Sequence, residues 1–250
     1  MKFVIICAAR SGSTMLRYLL DSHPDIICHG EVLVGDGLQG LSSKWNLDQE
    51  AKIELKEMKR ESPVDFFHQL FNSSQFETIG LKYKTDEYFD AKYAGFTEQI
   101  ESGTSIAVIH LRRKNILAQY ISHQRILSRG APMLELDSKN SWANTLTAKW
   151  RNRPFKINKS QVTSYAIDVM NRDEQVAQRL PEHRVHNVWY EDIVTPHSKA
   201  MKDLLEFLKV EIRAISTPTL KQTPNHLSLI KNPEIIKDLK QDHRLTDRIW

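Results

Sequence analysis

Cysteine is nearly absent: Cys7 and Cys28 are the only two in 250 residues, and neither has metal-ligand spacing. Both sit in apolar, strand-like runs, which reads as two reduced core residues of a cytoplasmic protein. No hydrophobic run approaches the length of a membrane span, so no stable membrane insertion is expected. The N-terminal run "FVIICAA" could pass for the start of an export signal, but the polar "RSGST" cuts it after seven residues, at the low edge of such a signal's apolar region, and export is not the expectation. No block of Lys and Arg is long enough to form a basic tail, and there is no internal repeat and no linker. What is present is a core: 40% apolar residues, with 9 Phe, 7 Tyr and 5 Trp, which excludes disorder. The net charge of +4 suits a small anionic ligand.

Strands and helices alternate along the chain. Strand 3–8, a loop at 9–13, helix 14–22 and strand 25–28 form a compact βαβ unit. Met15, Leu16, Leu19 and Leu20 supply the helix's apolar stripe. Residues 35–46 read as loop, 47–60 and 63–71 as helices, 78–84 as a strand and 86–101 as a helix. "SIAVIHL" (105–111) is apolar throughout, as a buried parallel strand is. Helices follow at 116–128, 141–151 and 160–180, then a strand at 184–190, a helix at 197–208, and a tail of loop and short helix. The expectation is an α/β fold in one domain over 1–250, its mostly parallel central sheet flanked by helices.

Three features carry chemistry. The first is the loop Arg10-Ser11-Gly12-Ser13-Thr14, between a strand and a helix. Gly12 permits a close turn, the amides of residues 12 to 15 can converge on an anion at the helix N-terminus, and Ser11, Ser13 and Thr14 add hydroxyls. Arg10 can grip two oxygens at once. A plain strand-to-helix turn is the competing reading. The strict ATP-binding pattern, Gly, four residues, then Gly-Lys-Ser/Thr, is missing.

The second feature is Glu31 in "DIICHGE", just past a strand's carboxyl end. If its strand neighbours the first, it faces the loop's crevice, where a carboxylate beside an anion is useful only for handling a proton. A salt-bridged loop glutamate is the alternative, and His29 is a rival base. The third feature is Arg112, Arg113 and Lys114 at the end of a buried strand, with Ser122 two turns into the next helix. They read either as a second phosphate site or as a basic helix entrance capped by Asn115. Lys82 and Lys84, at another strand end, are further candidates for the crevice.

Together, "ARSGSTMLRYLLDSHPDIICHGE" and "RRKNILAQYIS" resemble the paired signatures of sulfotransferases that use 3'-phosphoadenylyl sulfate (PAPS). The first is similar to the bacterial carbohydrate and nodulation-type branch and to the protein-tyrosine branch. The resemblance implies a P-loop-containing α/β fold. It also implies that Arg10, Ser11, Gly12, Ser13, Thr14 and Met15 cradle the sulfate-bearing 5'-phosphate, with Glu31 as general base. The family's 3'-phosphate ligands are an arginine near a strand end and a serine on the next helix. Ser122 fits the serine. Family spacing lands on Lys114, with Arg113 one residue back and Arg112 two; Arg113 is taken, because a one-residue shift at a strand end is easily absorbed. "VWYEDIV" resembles a late strand–turn element, and "LKQTPNHL" resembles the tail that closes over the nucleotide, with Lys221 its candidate cation.

The expected reaction is transfer of a sulfuryl group from PAPS to a hydroxyl of a carbohydrate or other small acceptor. Glu31 takes the proton and Arg10 neutralises charge on the leaving nucleotide, with no metal expected. Insertions near 35–75 and 130–180 are expected to wall the acceptor pocket, where Trp45, Phe66, Phe67, Trp142 and Trp150 either stack on the acceptor or belong to the core. Two rivals are a small-molecule kinase with a degenerate phosphate loop and an RNA-binding protein using "KWRNRPFKINK". No nucleic-acid partner is expected.

Overall fold

The computed structural model describes residues 1–38, 40–72, 76–102, 105–127, 153–180, 184–195, 197–217, 226–245 and 249. Five strands, β1 (Lys2–Cys7), β2 (Ile26–His29), β3 (Thr78–Lys84), β4 (Ile106–Arg112) and β5 (Val185–Trp189), pair in the order β2-β3-β1-β4-β5. Every pairing is parallel. β1 is central and buried on both faces, hence its unbroken apolar sequence. Phe3, Ile5 and Cys7 enter one core cluster with Leu16, Leu19 and Leu20 of α1 (Ser13–Asp21) and with Met201, Leu204 and Leu205 of a late helix. Val4 and Ile6 enter the other, with Phe66, Phe67 and Leu70. Alternation of side chains along the strand divides one hydrophobic run between two cores.

The helices of the first half are α1, α2 (Gln49–Glu61), α3 (Pro63–Phe71), α4 (Thr85–Tyr88) and α5 (Ala94–Glu101). The single helix expected over 86–101 is therefore interrupted. Asp90 is extended, and its side chain accepts from the Lys92 amide to start a separate 3-10 turn at Ala91–Tyr93. After β4 come α6 (Ile116–Leu127), α7 (Lys159–Arg179), α8 (Tyr190–Ile193), α9 (Lys199–Phe207) and α10 (Ile235–Lys240). The helix expected at 141–151 lies outside the described residues.

A second difference concerns the first βαβ unit. β1 and β2 are not neighbours, because β3 lies between them. The register aligns Cys28 with Gly80 and Gly80 with Phe3. The chain therefore skips a strand position after β1 and returns later to fill it.

The chain falls into two compact units, Met1–Arg112 with Asp173–Thr217 and Arg113–Arg172 with Pro218–Trp250. The first contains the whole sheet. In the second, Tyr120 of α6 packs edge-on against Tyr165 of α7, with ring centroids 5.4 Å apart. Asn232 holds Ile157 from both sides, accepting from its amide and donating to its carbonyl, each at 2.9 Å. Among the described residues, no helix is long and apolar enough to cross a membrane.

Candidate active site

The Arg10–Thr14 loop leaves the carboxyl end of the central strand. Arg10 and Gly12 both have left-handed backbone, with φ of 63° and 94°. Such alternation around Ser11 curls successive N–H groups into a concavity that suits an anion. A left-handed arginine costs about 1–3 kcal/mol, and local strain of this kind gathers at functional sites. Gly12 also caps α1, and its carbonyl accepts from the Leu16 amide at 3.2 Å. A Cβ on Gly12 would lie 2.1 Å from Cδ2 of Tyr190, so this ring closes the loop's other side and admits only glycine. The Ser11 hydroxyl is buried with no oxygen or nitrogen partner, and Ser13 is also buried. A buried orphan hydroxyl, inward-curled amides and an arginine form a donor set that fits a phosphate or sulfate group.

Glu31 stands beside this loop, brought there by β3. Lys82, on the face of β3 that meets α1, is 6% exposed. Its ammonium donates to Glu31 Oε1 at 2.5 Å and lies 3.4 Å from Thr14 Oγ1. Lys84, two residues on and on the same face, is 3.7 Å from Glu31 Oε2 and 3.2 Å from Glu87 Oε1 of α4. Glu87 also accepts from the Lys84 amide, capping α4. Burial pushes the Glu31 carboxyl up, but Lys82, Lys84 and Arg10 outweigh it and hold the group below its ordinary value. Glu31 is therefore ionised at neutral pH. Burial lowers Lys84, but Glu87 and Glu31 more than reverse it and raise its value, so it stays charged.

The backbone around Glu31 is fixed by two glycines in contact. The Gly30 amide donates to the Gly40 carbonyl at 2.5 Å, and a Cβ on Gly40, at φ 82°, would lie 2.6 Å from the Glu31 nitrogen. Below this turn, Asp21 accepts from the Cys28 amide at 2.9 Å and from the Ser42 hydroxyl at 2.7 Å, while Arg17 Nε donates to the Cys28 carbonyl at 2.9 Å. These bonds tie α1, β2 and the 30–42 loop together.

His29 is fully buried, and its Nδ1 accepts from the Ser42 amide at 3.1 Å. Burial, helped by Arg17, pushes its imidazole down to about 3. Its burial and its bond to the Ser42 amide give it a structural role. Phe66 and Phe67 are fully buried and belong to the core, while Trp45 is half-buried, packed against that core with its ring 5.2 Å from His29. Cys7 and Cys28 are free and buried, and burial raises both thiols.

Arg112 ends β4 with its guanidinium 4.3 Å from the centre of the Trp189 ring and its Nη2 donating to Asn187 Oδ1 at 3.1 Å. Arg113 and Ser122 belong to the second unit, Arg113 buried and Ser122 half-buried in α6. Asn115 caps that helix, accepting from the Ala118 amide at 2.7 Å. Lys221, Trp142, Trp150 and the part of the basic stretch before Arg153 lie outside the described residues. Among the described residues, no group of three or more His, Cys, Asp or Glu is gathered to hold a metal.

Lys82 was named from its place near a strand end, whereas the signal for Tyr190 was present but indirect, in the "VWYEDIV" element. The Gly30–Gly40 contact has no short-range sequence signature.

Three solved structures share this fold. The sulfotransferase of Alicyclobacillus acidocaldarius aligns over 99% of this chain and 93% of its own, at 14% identity and a TM-score of 0.54. The sulfotransferase domain of the Synechococcus PCC 7002 olefin synthase covers 100% and 92%, at 17% identity and 0.55. The sulfotransferase domain of the curacin biosynthetic pathway covers 94% and 85%, at 17% identity and 0.55. No curated protein matches the sequence. The sulfotransferase family model matches residues 3–214, taking in the anion loop, Glu31, both lysines of β3 and every strand of the sheet. A match over that much of the chain means that this protein belongs to the sulfotransferase family.

Proposed function

We propose that the chain works as a single catalytic domain that moves a sulfuryl group from PAPS to a hydroxyl of a carbohydrate or other small acceptor. The observation that carries this is the carboxylate beside an anion loop: Glu31 lies within reach of a lysine that also touches Thr14. A carboxylate so placed repels the anion and is of use as an acceptor for the hydroxyl's proton. Bound at the loop, PAPS supplies the activated sulfuryl group.

The chain's own residues then divide the work. The Arg10 fork and the amides of residues 12 to 15 take up charge growing on the departing phosphate, already oriented when the reaction begins. Thr14 and Lys82 hold an oxygen on the side nearer Glu31. Glu31 accepts the proton of the attacking hydroxyl as its oxygen bonds to sulfur. Arg113 and Ser122 are assigned to the 3'-phosphate, with Arg112 as the alternative cation and Lys221 as the tail's contribution. The two buried free thiols suit a reducing, cytoplasmic compartment.

Calorimetry with 3'-phosphoadenosine 5'-phosphate (PAP) and with 5'-AMP tests the donor assignment. PAP binds more tightly, and Arg113→Ala removes most of the difference. Equal affinities in the unmodified protein would sink the two-phosphate reading. Transfer of label from PAPS to a panel of sugars and phenols then identifies the acceptor.

A further inference from the structure

We propose that Lys82 is a cation shared between the base and the donor, so that Glu31 is freed to accept a proton only when an anion fills the Arg10–Thr14 loop. The inference rests on the assignment of Glu31 and the loop given above.

The geometry sets up a competition. The Lys82 ammonium has three N–H groups and is nearly enclosed, with a side chain 5% exposed. It cannot swing into solvent, so its bonds are traded only among the groups around it. Glu31 Oε1 is held at 2.5 Å, in a short charged bond, whereas Thr14 Oγ1 is at 3.4 Å, at the edge of hydrogen bonding. An anion in the loop beside Thr14 brings a second negative oxygen to the weakly occupied side of the ammonium. Lys82 must then divide its charge between the two.

The other groups facing Glu31 do not make up the loss. Lys84 is the second cation on β3, but it is nearer to Glu87 than to Glu31, at 3.2 Å against 3.7 Å, and Glu87 also fastens its amide. Arg10, on the loop, is itself drawn to the anion. Glu87, of α4, is a further negative charge nearby. All three cations that lower the proton affinity of Glu31 in the free protein are thus engaged elsewhere or drawn away once the anion arrives. The anion's own charge works in the same direction. Without it, Glu31 is a clamped ion pair and a weak base; with it, the carboxylate is a stronger base positioned at the reacting group. Coupling of this kind is reciprocal, so protonation of Glu31 tightens anion binding by the same factor.

The test follows Glu31 directly. Protein labelled with carbon-13 at glutamate carboxyls gives one resonance that Glu31→Gln removes, and its pH titration is recorded with and without saturating PAP. The expected midpoint with PAP is higher by about one unit or more. In Lys82→Met the midpoint starts high and PAP moves it by less than half as much. Calorimetry in two buffers of different ionisation enthalpy, at pH 5, gives a second measure that needs no lysine variant: PAP binding takes up more protons in the unmodified protein than in Glu31→Gln. Identical midpoints with and without PAP overturn the sharing of Lys82 and leave the donor assignment standing. Failure of PAP to bind overturns both.

Discussion

The Tyr190 ring occupies the space that any side chain on residue 12 would need, with Cδ2 2.1 Å from the position of a Cβ there. A residue just past β5 thus sets the shape of a loop that follows β1. The anion loop is not a local motif alone, since a tyrosine about 180 residues later closes its far side.

That relationship predicts the behaviour of Gly12→Ala. The left-handed backbone costs an alanine about 1–2 kcal/mol, and intrusion into a packed ring costs about 1–3 kcal/mol more. Urea denaturation should show a combined loss of roughly 2–5 kcal/mol, and PAP affinity should fall at least tenfold. Adding Tyr190→Ala to Gly12→Ala should recover the packing part and leave the backbone part. If the double variant is no more stable than Gly12→Ala, the ring is not the constraint.

Arg10→Lys keeps the charge and loses the fork. Bidentate sites do not treat these two cations as equivalent, and losing a well-placed charged donor costs about 2–5 kcal/mol when its partner stays buried. Weaker PAP binding and slower turnover are expected together. Unchanged kinetics would put Arg10 outside the site.

Glu31→Gln should slow single-turnover transfer by about 10²–10⁴-fold while PAP affinity holds or rises. The ion pair with the nearly enclosed Lys82 adds a stability effect, since the variant leaves that ammonium without its carboxylate. The sign follows from the lowered carboxyl. Its contribution to stability is present above the ordinary glutamate range and is lost as pH falls through the lower, folded value. The difference in Tm between the unmodified protein and Glu31→Gln should therefore be visible at pH 7 and narrow as pH falls below the ordinary glutamate range. A gap that acid leaves unchanged would have a cause other than the charge.

His29 adds a second loss of stability on the acid side. Its imidazole stays neutral in the fold down to about 3, whereas the unfolded chain takes up a proton near 6.5. Stability therefore declines as pH falls below 6.5, by about 1.4 kcal/mol per unit. His29→Asn keeps an acceptor for the Ser42 amide and removes the titration. Denaturant melts at pH 6.5, 5.5 and 4.5 should show a shallower decline for the asparagine variant, and parallel declines would count against His29 as the acid-sensitive group.

Much of this was legible in the sequence, for physical reasons. The strand, glycine-centred loop and helix at 3–22 were readable because apolar period, hydroxyl-rich turn and helical stripe all change at the same points. Arg10 to Thr14 and Glu31 were singled out by residue type and by position after strands. The position of β3 was not readable, since strand order depends on how distant segments pack. His29 resembled a site residue by its type and position, and only burial assigns it to the core. The break at Asp90 was hidden because the residues on either side keep an apolar spacing compatible with one helix.

The placement of β3 between β1 and β2 also bears on how the protein is made. β1, with the anion loop at its end, is made before both of its hydrogen-bonding partners, which lie far downstream at Thr78–Lys84 and Ile106–Arg112. For that stretch of synthesis its apolar run has no sheet to join. Such long-range pairings slow folding, and an unpaired apolar strand is exposed to aggregation meanwhile. Lys82 and Glu31 can meet only when β3 slots into place, so this ion pair forms in the same step that joins β2 to β1 in the sheet. Formation of the pair during refolding would therefore serve as a clock for the insertion of one strand.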